Sequence, residues 1–151
     1  MALSEQIQND MKTALLGGDR FVGDTLRNLK AAILNEEVAQ NKRDTGLTDE
    51  EIEKIIAKEV KKRNESLAIY EQNNRPELAE TERKEAAVLA VYLPKQLTEE
   101  EIREIAKNVV ASMDTATPSM MGQVIGAVKA KAGNSADGAT VARVVKELLT
   151  S

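Results

Sequence analysis

The amino-acid sequence predicts an all-α protein, and three observations carry that prediction. Apolar residues recur at spacings of three and four along most of the chain, which places them on one face of a helix. Only 2% of the residues are aromatic, whereas the strands of a β-sandwich favour aromatic and β-branched side chains. Helix-start signals also recur. The sequence therefore predicts an N-terminal four-helix unit over residues 1–93 and a small three-helix domain over residues 94–151.

The predicted boundary lies at Pro94, between two helices. Proline lacks the amide hydrogen that a helix interior needs and disfavours the helical conformation at Leu93, so the preceding helix must end near this point. Thr98 and Glu101 follow with the spacing of a capping box, in which each side chain bonds to the backbone of the other residue. This combination ends one helix and starts the next within a few residues.

Four helices are predicted before the boundary. The first ends at a glycine pair, and Asp19 can cap the second, which runs to about Gln40. Thr48 begins a second capping box and opens a long third helix. Pro76 suits the first turn of the fourth helix. The apolar residues of the first two helices are Leu3, Ile7, Met11 and Leu15, then Val22, Leu26, Leu29, Ala32 and Ile33.

Three helices are predicted after the boundary. The first of them ends near Met113, and Thr117 followed by proline has the form of an N-cap for the next helix. Gly122 and Gly126 lie one turn apart inside that helix, and each lowers helix stability by about 1 kcal/mol. We interpret them as a site of close helix–helix packing, and the alternative is that an RNA backbone approaches there. Asp137 can cap the last helix.

Composition excludes several kinds of site. The chain has no cysteine and no histidine, so disulfides and thiolate metal sites are impossible and the commonest general base is missing. We predict no catalytic residues, no metal and no cofactor. The segment Met1–Gln6 lacks the basic and apolar regions of a secretory signal, and no apolar run approaches the ~20 residues of a membrane span. We therefore expect a cytoplasmic protein that does not bind membranes.

The chain resembles the YqeY-like family through a series of motifs that run along its whole length. The most specific is the boundary itself, Tyr-Leu-Pro-Lys-Gln-Leu at residues 92–97. The others are Leu26–Ile33, Met121–Gly126 and Ala136–Gly138. The resemblance implies an N-terminal helical bundle and a C-terminal domain similar to the tail of the B subunit of the tRNA-dependent amidotransferase. In that enzyme the tail helps to hold tRNA, while amide transfer occurs in other domains.

Two functions remain open on this basis. The first is a non-catalytic module that binds tRNA or docks on a tRNA-modifying amidotransferase complex. The alternative is a carbon–nitrogen ligase with glutamine as amido-N-donor, as the label often given to this family implies. An amidase needs an activated nucleophile, and a phosphate-activating step needs a phosphate-binding loop. Neither pattern occurs, so we favour the first. The net charge of −4 is not the strongly basic charge of a dedicated nucleic-acid-binding protein. We expect no DNA partner, and the oligomeric state stays open.

The basic residues of the last two helices are the predicted RNA contacts. They are Lys129, Lys131, Arg143 and Lys146. The alternative is an ordinary solvated charged face. The family usually has Lys-Gly-Lys where this chain has Gly133-Asn134-Ser135, so two basic residues are missing from the turn between these helices. The resemblance therefore implies weaker phosphate binding at this turn than in relatives that keep them.

Three glutamates lie in largely apolar predicted helices of the first unit and raise the question of acid–base chemistry. They are Glu36, Glu37 and Glu85. We favour instead ion pairs with basic residues of neighbouring helices. The candidate partners are Arg27, Lys30 and Arg63.

Overall fold

The computed structural model describes residues 2–114 and 116–150, and every regular element within these ranges is a helix. The all-α prediction is confirmed. The seven α-helices are α1 (Leu3–Leu16), α2 (Arg20–Ala39), α3 (Asp49–Gln72), α4 (Pro76–Ala90), α5 (Glu99–Ala111), α6 (Met121–Ala132) and α7 (Gly138–Thr150). Short 3₁₀ turns cover Pro118–Met120 and Gly133–Ser135.

The chain forms two compact units, one ending at Leu93 and the other beginning at Pro94. Each unit has its own apolar core. The core of unit 1 consists of Leu3, Ile7, Leu26, Leu29, Ile33, Ile52, Ile56 and Leu89. The core of unit 2 consists of Ile102, Ala106, Val109, Val124, Val128, Val141, Val144 and Val145.

Helix starts are the most accurately predicted features of the fold. Both capping boxes are formed, with the threonine side chain accepting a backbone N–H and the glutamate side chain bonding back to the cap. Asp19 accepts the N–H of Val22 at 3.2 Å, and Asp137 accepts the N–H of Thr140 at 3.1 Å. These caps satisfy donors that no intrahelical carbonyl can reach.

The start of α6 differs from the prediction. Thr117 makes no side-chain cap, and Pro118 opens a 3₁₀ turn instead of the α-helix. The α-helix begins at Met121, again without a side-chain cap. The hydroxyl of Thr117 lies 2.8 Å from the hydroxyl of Ser119, so it is engaged inside the turn and not with the helix backbone.

The prediction of close packing at Gly122 and Gly126 is wrong. Both residues are exposed, and a Cβ added to either would have no other atom within 4 Å. The glycine that packing does require is Gly23 in α2, which is buried and where an added Cβ would overlap the side chain of Leu15 in α1. Here the absence of a side chain lets the two helices meet.

Candidate functional site

The four predicted basic residues lie on two helices of unit 2. Lys129 and Lys131 occupy the last turn of α6, while Arg143 and Lys146 lie in the middle and second half of α7. All four are exposed. Lysines in the last turn of a helix also complement its negative C-terminal end, so the position of the first two has a structural explanation as well.

Arg143 is held in an ion-pair network. Its Nη1 lies 2.5 Å from Oε1 of Glu99 in α5 and 3.5 Å from Oε1 of Glu147, one turn along α7. Arg103 joins the same two carboxylates at 3.2 Å each. The hydrogen bond with Arg143 lowers the pKa of Glu99, and Glu99 raises the pKa of Arg143. Two positive and two negative charges therefore offset each other, which leaves Arg143 a weaker candidate for a phosphate.

The positive charges of the three lysines are not offset by neighbouring carboxylates in this way. Within residues 2–114 and 116–150, Lys129, Lys131 and Lys146 form no ion pair. The ammonium of Lys129 lies beside the first residue of α7, because a Cβ added to Gly138 would be 3.5 Å from its Nζ. The positive end of the α7 dipole and this ammonium thus lie close together, with Asp137 as the nearby counter-charge.

The exposed glycines of α6 share a face with one of these lysines. Gly122, Gly126 and Lys129 are spaced four and three apart, which aligns them along one side of the helix. Since neither glycine meets another part of the described chain, this side of α6 is a flat, exposed backbone surface that carries a positive charge at one end. We define Gly122, Gly126 and Lys129 as the α6 face.

The motif at the boundary has a structural role within each unit. The phenol of Tyr92 donates to Oδ2 of Asp10 at 2.6 Å, which ties the end of α4 to α1. Burial and Asp10 together raise the pKa of Tyr92, so the phenol stays protonated. In unit 2 the side chain of Gln96 donates to the carbonyl of Asn134 at 3.2 Å, and the N–H of Leu97 donates to Ser135 at 2.7 Å. The motif therefore fixes the turn between α6 and α7.

Unit 1 contains a partly buried charged cluster between α3 and α4. The side chain of Arg63 is only 15% exposed and lies 3.0 Å from both Glu59 and Glu85. The expected partner of Glu85 is thus confirmed. Burial and the neighbouring Glu85 raise the pKa of Glu82, which lines the same cleft of about 230 Å³. The cluster joins α3 to α4, and the guanidinium of Arg63 is the counter-charge of the carboxylates of Glu59 and Glu85.

The other two acidic candidates are not paired as expected. Glu36 accepts a hydrogen bond from Gln40 at 2.7 Å, one turn along α2. Arg27 pairs with Asp24 on its own helix, and Lys30 donates to the side chain of Gln8. The prediction that these glutamates pair with basic residues of neighbouring helices is wrong, because both basic residues are engaged by nearer polar groups.

The described residues hold no evident metal site. In the ranges 2–114 and 116–150, no three acidic or other ligating side chains come together so as to hold a metal ion. No helix in this part of the chain is both long and apolar enough to cross a membrane.

Residues 4–149 match the model of the Yqey-like protein family. The chain belongs to this family. Curated relatives carry the name "altered inheritance of mitochondria protein 41, mitochondrial". The protein from Clavispora lusitaniae is 31% identical over 106 residues, which are 68% of this chain and 59% of the relative. The protein from Vanderwaltozyma polyspora is 31% identical over 87 residues, or 58% of this chain and 46% of the relative.

A third relative, from Pyrenophora tritici-repentis, is 26% identical over 149 residues and is covered to 79%. The chain spans about half of the length of the first two relatives. The names of the relatives contradict the expected cytoplasmic location and point to the mitochondrion. The expectation was wrong because the lack of a secretory signal or membrane span does not distinguish one aqueous compartment from another.

Proposed function

We propose that this chain is a non-catalytic module that binds structured RNA of the tRNA type through unit 2. The contact surface is the α6 face, and Lys131 and Lys146 are further candidate phosphate contacts of the same unit. Binding is through phosphates and not through base edges, because lysine ammonium groups on a helix surface supply charge without the fixed geometry of base recognition.

The observation that carries this proposal is the exposed glycine side of α6. Each glycine costs helix stability, by about 1 kcal/mol, and no packing within the described chain offsets that cost. A bare helix backbone lets a bulky partner approach closely, and Lys129 at its end adds charge that favours a phosphate chain. The family resemblance supports the same unit, since the similar tail domain of the amidotransferase helps to hold tRNA.

The charge distribution of unit 2 determines how strongly we expect it to bind RNA. Unit 2 has as many acidic as basic residues, so binding depends on the local field of a few lysines. Arg143 is already paired with two carboxylates. With three available lysines, the slope of log K against log salt concentration is about −2 to −3. We therefore expect weak, salt-sensitive binding.

The test measures tRNA binding to the full chain at a series of salt concentrations. The double variant Lys129→Glu and Lys131→Glu should weaken binding and reduce the slope. The matched control is Lys107→Glu, which changes an exposed lysine on α5 of the same unit and should change binding less per charge. Arg143→Gln should also have little effect.

A second comparison tests the α6 face itself. Gly126→Glu places a negative side chain on this face, where the space is open, and should reduce binding without unfolding the helix. If tRNA does not bind at low salt, or if the lysine reversals and Lys107→Glu act equally, the proposal is wrong. Glutamine-dependent ammonia transfer by the pure chain would instead favour the carbon–nitrogen ligase.

A further inference from the structure

Helix α2 has a second apolar stripe that the described chain leaves partly exposed. Its core face carries Leu26, Leu29 and Ile33. On another side, Ala31, Leu34 and Val38 are spaced three and four apart. Leu34 is 40% exposed and Val38 is 58% exposed, and Ala31 is exposed as well. This spacing is the seam pattern of two helices that pack side by side.

We propose that two copies of the chain associate through this stripe, with their α2 helices packed antiparallel about a two-fold axis at Leu34. In such an isologous contact, residues at equal distances before and after the axis face each other. Ala31 of one copy then lies beside the region of Val38 in the other, and the two Leu34 side chains meet at the centre.

The charges that flank the stripe fit this arrangement. Lys30 lies four residues before the axis and Glu37 three residues after it, on the same side of the stripe. Lys30 of each copy therefore lies beside Glu37 of the other, which gives two symmetric ion pairs. Within one chain these residues are seven positions apart, about 10 Å along the helix. Neither forms an ion pair within residues 2–114 and 116–150, and Lys30 bonds only to the neutral side chain of Gln8.

The opposite side of the stripe carries no charge between residues 28 and 35, and Arg27, one turn before Ala31, pairs with Asp24 of its own helix. This side presents Asn28 and Asn35, both exposed and neutral. A parallel arrangement lacks this complementarity, because Lys30 and Glu37 of one copy would then lie along the neutral Asn28 and Asn35 of the other. The sequence of α2 thus selects one direction of packing.

A cleft beside the stripe provides space for the second copy. It has a volume of about 390 Å³ and lies between α1 and α2, with Ile7 and Ile33 among its lining residues and Lys30 and Glu37 at its polar positions. Val38 of the second copy approaches this cleft in the proposed register. An apolar side chain that fills the cleft removes apolar surface from water, which favours association.

The size of the contact predicts a weak dimer. Helix α2 has 20 residues, or about 30 Å, and only three apolar side chains lie on its outer stripe. A contact made by three apolar side chains on one helix buries less surface than the roughly 1,600 Å² of a standard stable interface. We expect monomers and dimers to exchange and their ratio to depend on protein concentration.

The experiment is sedimentation equilibrium of the full chain, up to roughly millimolar concentration. Lys30→Glu alone and Glu37→Lys alone each replace two attractive pairs by two repulsive ones, and each should raise the dissociation constant about tenfold. A mixture of the two variants restores both attractive pairs. The mixture should therefore associate more tightly than either variant alone, near the level of the unchanged chain.

This mixing result separates the interface from any effect on folding, because a folding defect persists in the mixture. Lys58→Glu on α3 is the matched control and should leave association unchanged. Leu34→Gln should reduce association even if a charge variant fails to fold. A chain that stays monomeric at all concentrations overturns the proposal, as does a dimer whose affinity is insensitive to these variants. If the chain is monomeric, the exposed stripe does not serve as a contact between two copies.

Discussion

The two units differ in the side chains that form their cores. Unit 1 buries leucine and isoleucine from four helices, including one of 24 residues. Unit 2 buries mainly valine and alanine from three helices of 12 or 13 residues. Burial of apolar area contributes roughly 25 cal/mol per Å², so the larger side chains of unit 1 contribute more per residue. We therefore expect unit 2, the smaller unit and the one that carries the proposed RNA contacts, to be the less stable of the two.

The units differ in their ion pairs as well. Arg63 in unit 1 is shielded from solvent and joins two helices, whereas the network of Arg143 in unit 2 is exposed. Exposed pairs contribute little because water and salt screen them, while a shielded charge that loses its partner is destabilising. We therefore expect the loss of Arg63 to lower the stability of unit 1 more than the loss of Arg143 lowers that of unit 2.

The largest expected effect comes from truncation of the two cores. Ile56→Ala should lower the free energy of unfolding by about 2–5 kcal/mol, because a fully buried side chain leaves a cavity. Val144→Ala removes less volume and should cost about 2 kcal/mol. Hydrogen exchange measures both. Each variant should accelerate exchange mainly in its own unit, and equal acceleration in both units would contradict separate cores.

The next effect concerns the shielded arginine. Arg63→Met keeps an unbranched apolar stem but removes the guanidinium and leaves Glu59 and Glu85 without their cation, which should cost about 1–3 kcal/mol. Arg143→Gln in the exposed network should have a smaller effect. Urea unfolding of both variants at neutral pH gives the comparison. A larger loss for Arg143→Gln would mean that exposure does not explain the difference between the clusters.

Two helical glycines give a pair of substitutions with opposite expected signs. Gly126→Ala should stabilise unit 2 by up to about 1 kcal/mol, since alanine favours the helix and the space is open. Gly23→Ala should destabilise unit 1 by about 1–3 kcal/mol through overlap with Leu15. Thermal unfolding checks both signs. Stabilisation by Gly23→Ala would show that α1 and α2 tolerate a wider separation.

The smallest expected effect is the pH dependence of stability that two glutamates, one in each unit, cause. The pKa of Glu82 in unit 1 is raised, so its contribution to stability is lost as pH rises through the raised pKa. The pKa of Glu99 in unit 2 is lowered, so its contribution is present at neutral pH and is lost as pH falls below the usual value of 4.5. At neutral pH, Glu82→Gln should slightly stabilise the chain and Glu99→Gln should slightly destabilise it.

Stability measured between pH 3 and 7, about the usual range of carboxyl titration, tests this pair. The difference between each variant and the unchanged chain should shrink towards acidic pH for both, because the native carboxyl groups become protonated. A pH-independent difference for Glu82→Gln would contradict a raised pKa at this position.

Local sequence patterns predicted the helices and most of their starts, because an N-cap such as Asp19 acts on its own first turn. They did not predict that Gly23 faces Leu15 or that Gly126 faces open space. The sequence around a helical glycine does not indicate whether another helix packs against it. The pairing of Arg143 with Glu147 follows from a spacing of four, but Glu99 joins them from a distant part of the sequence. Contacts between helices could not be predicted, because they join residues that are distant in the sequence.

Hydrogen exchange of the full chain with and without excess tRNA tests the central claim, that unit 2 carries the interaction, most directly. Bound phosphates should slow exchange in peptides from α6 and from the start of α7, while exchange in α2, α3 and α4 stays unchanged. Protection confined to unit 1, or no protection at low salt, would contradict the account.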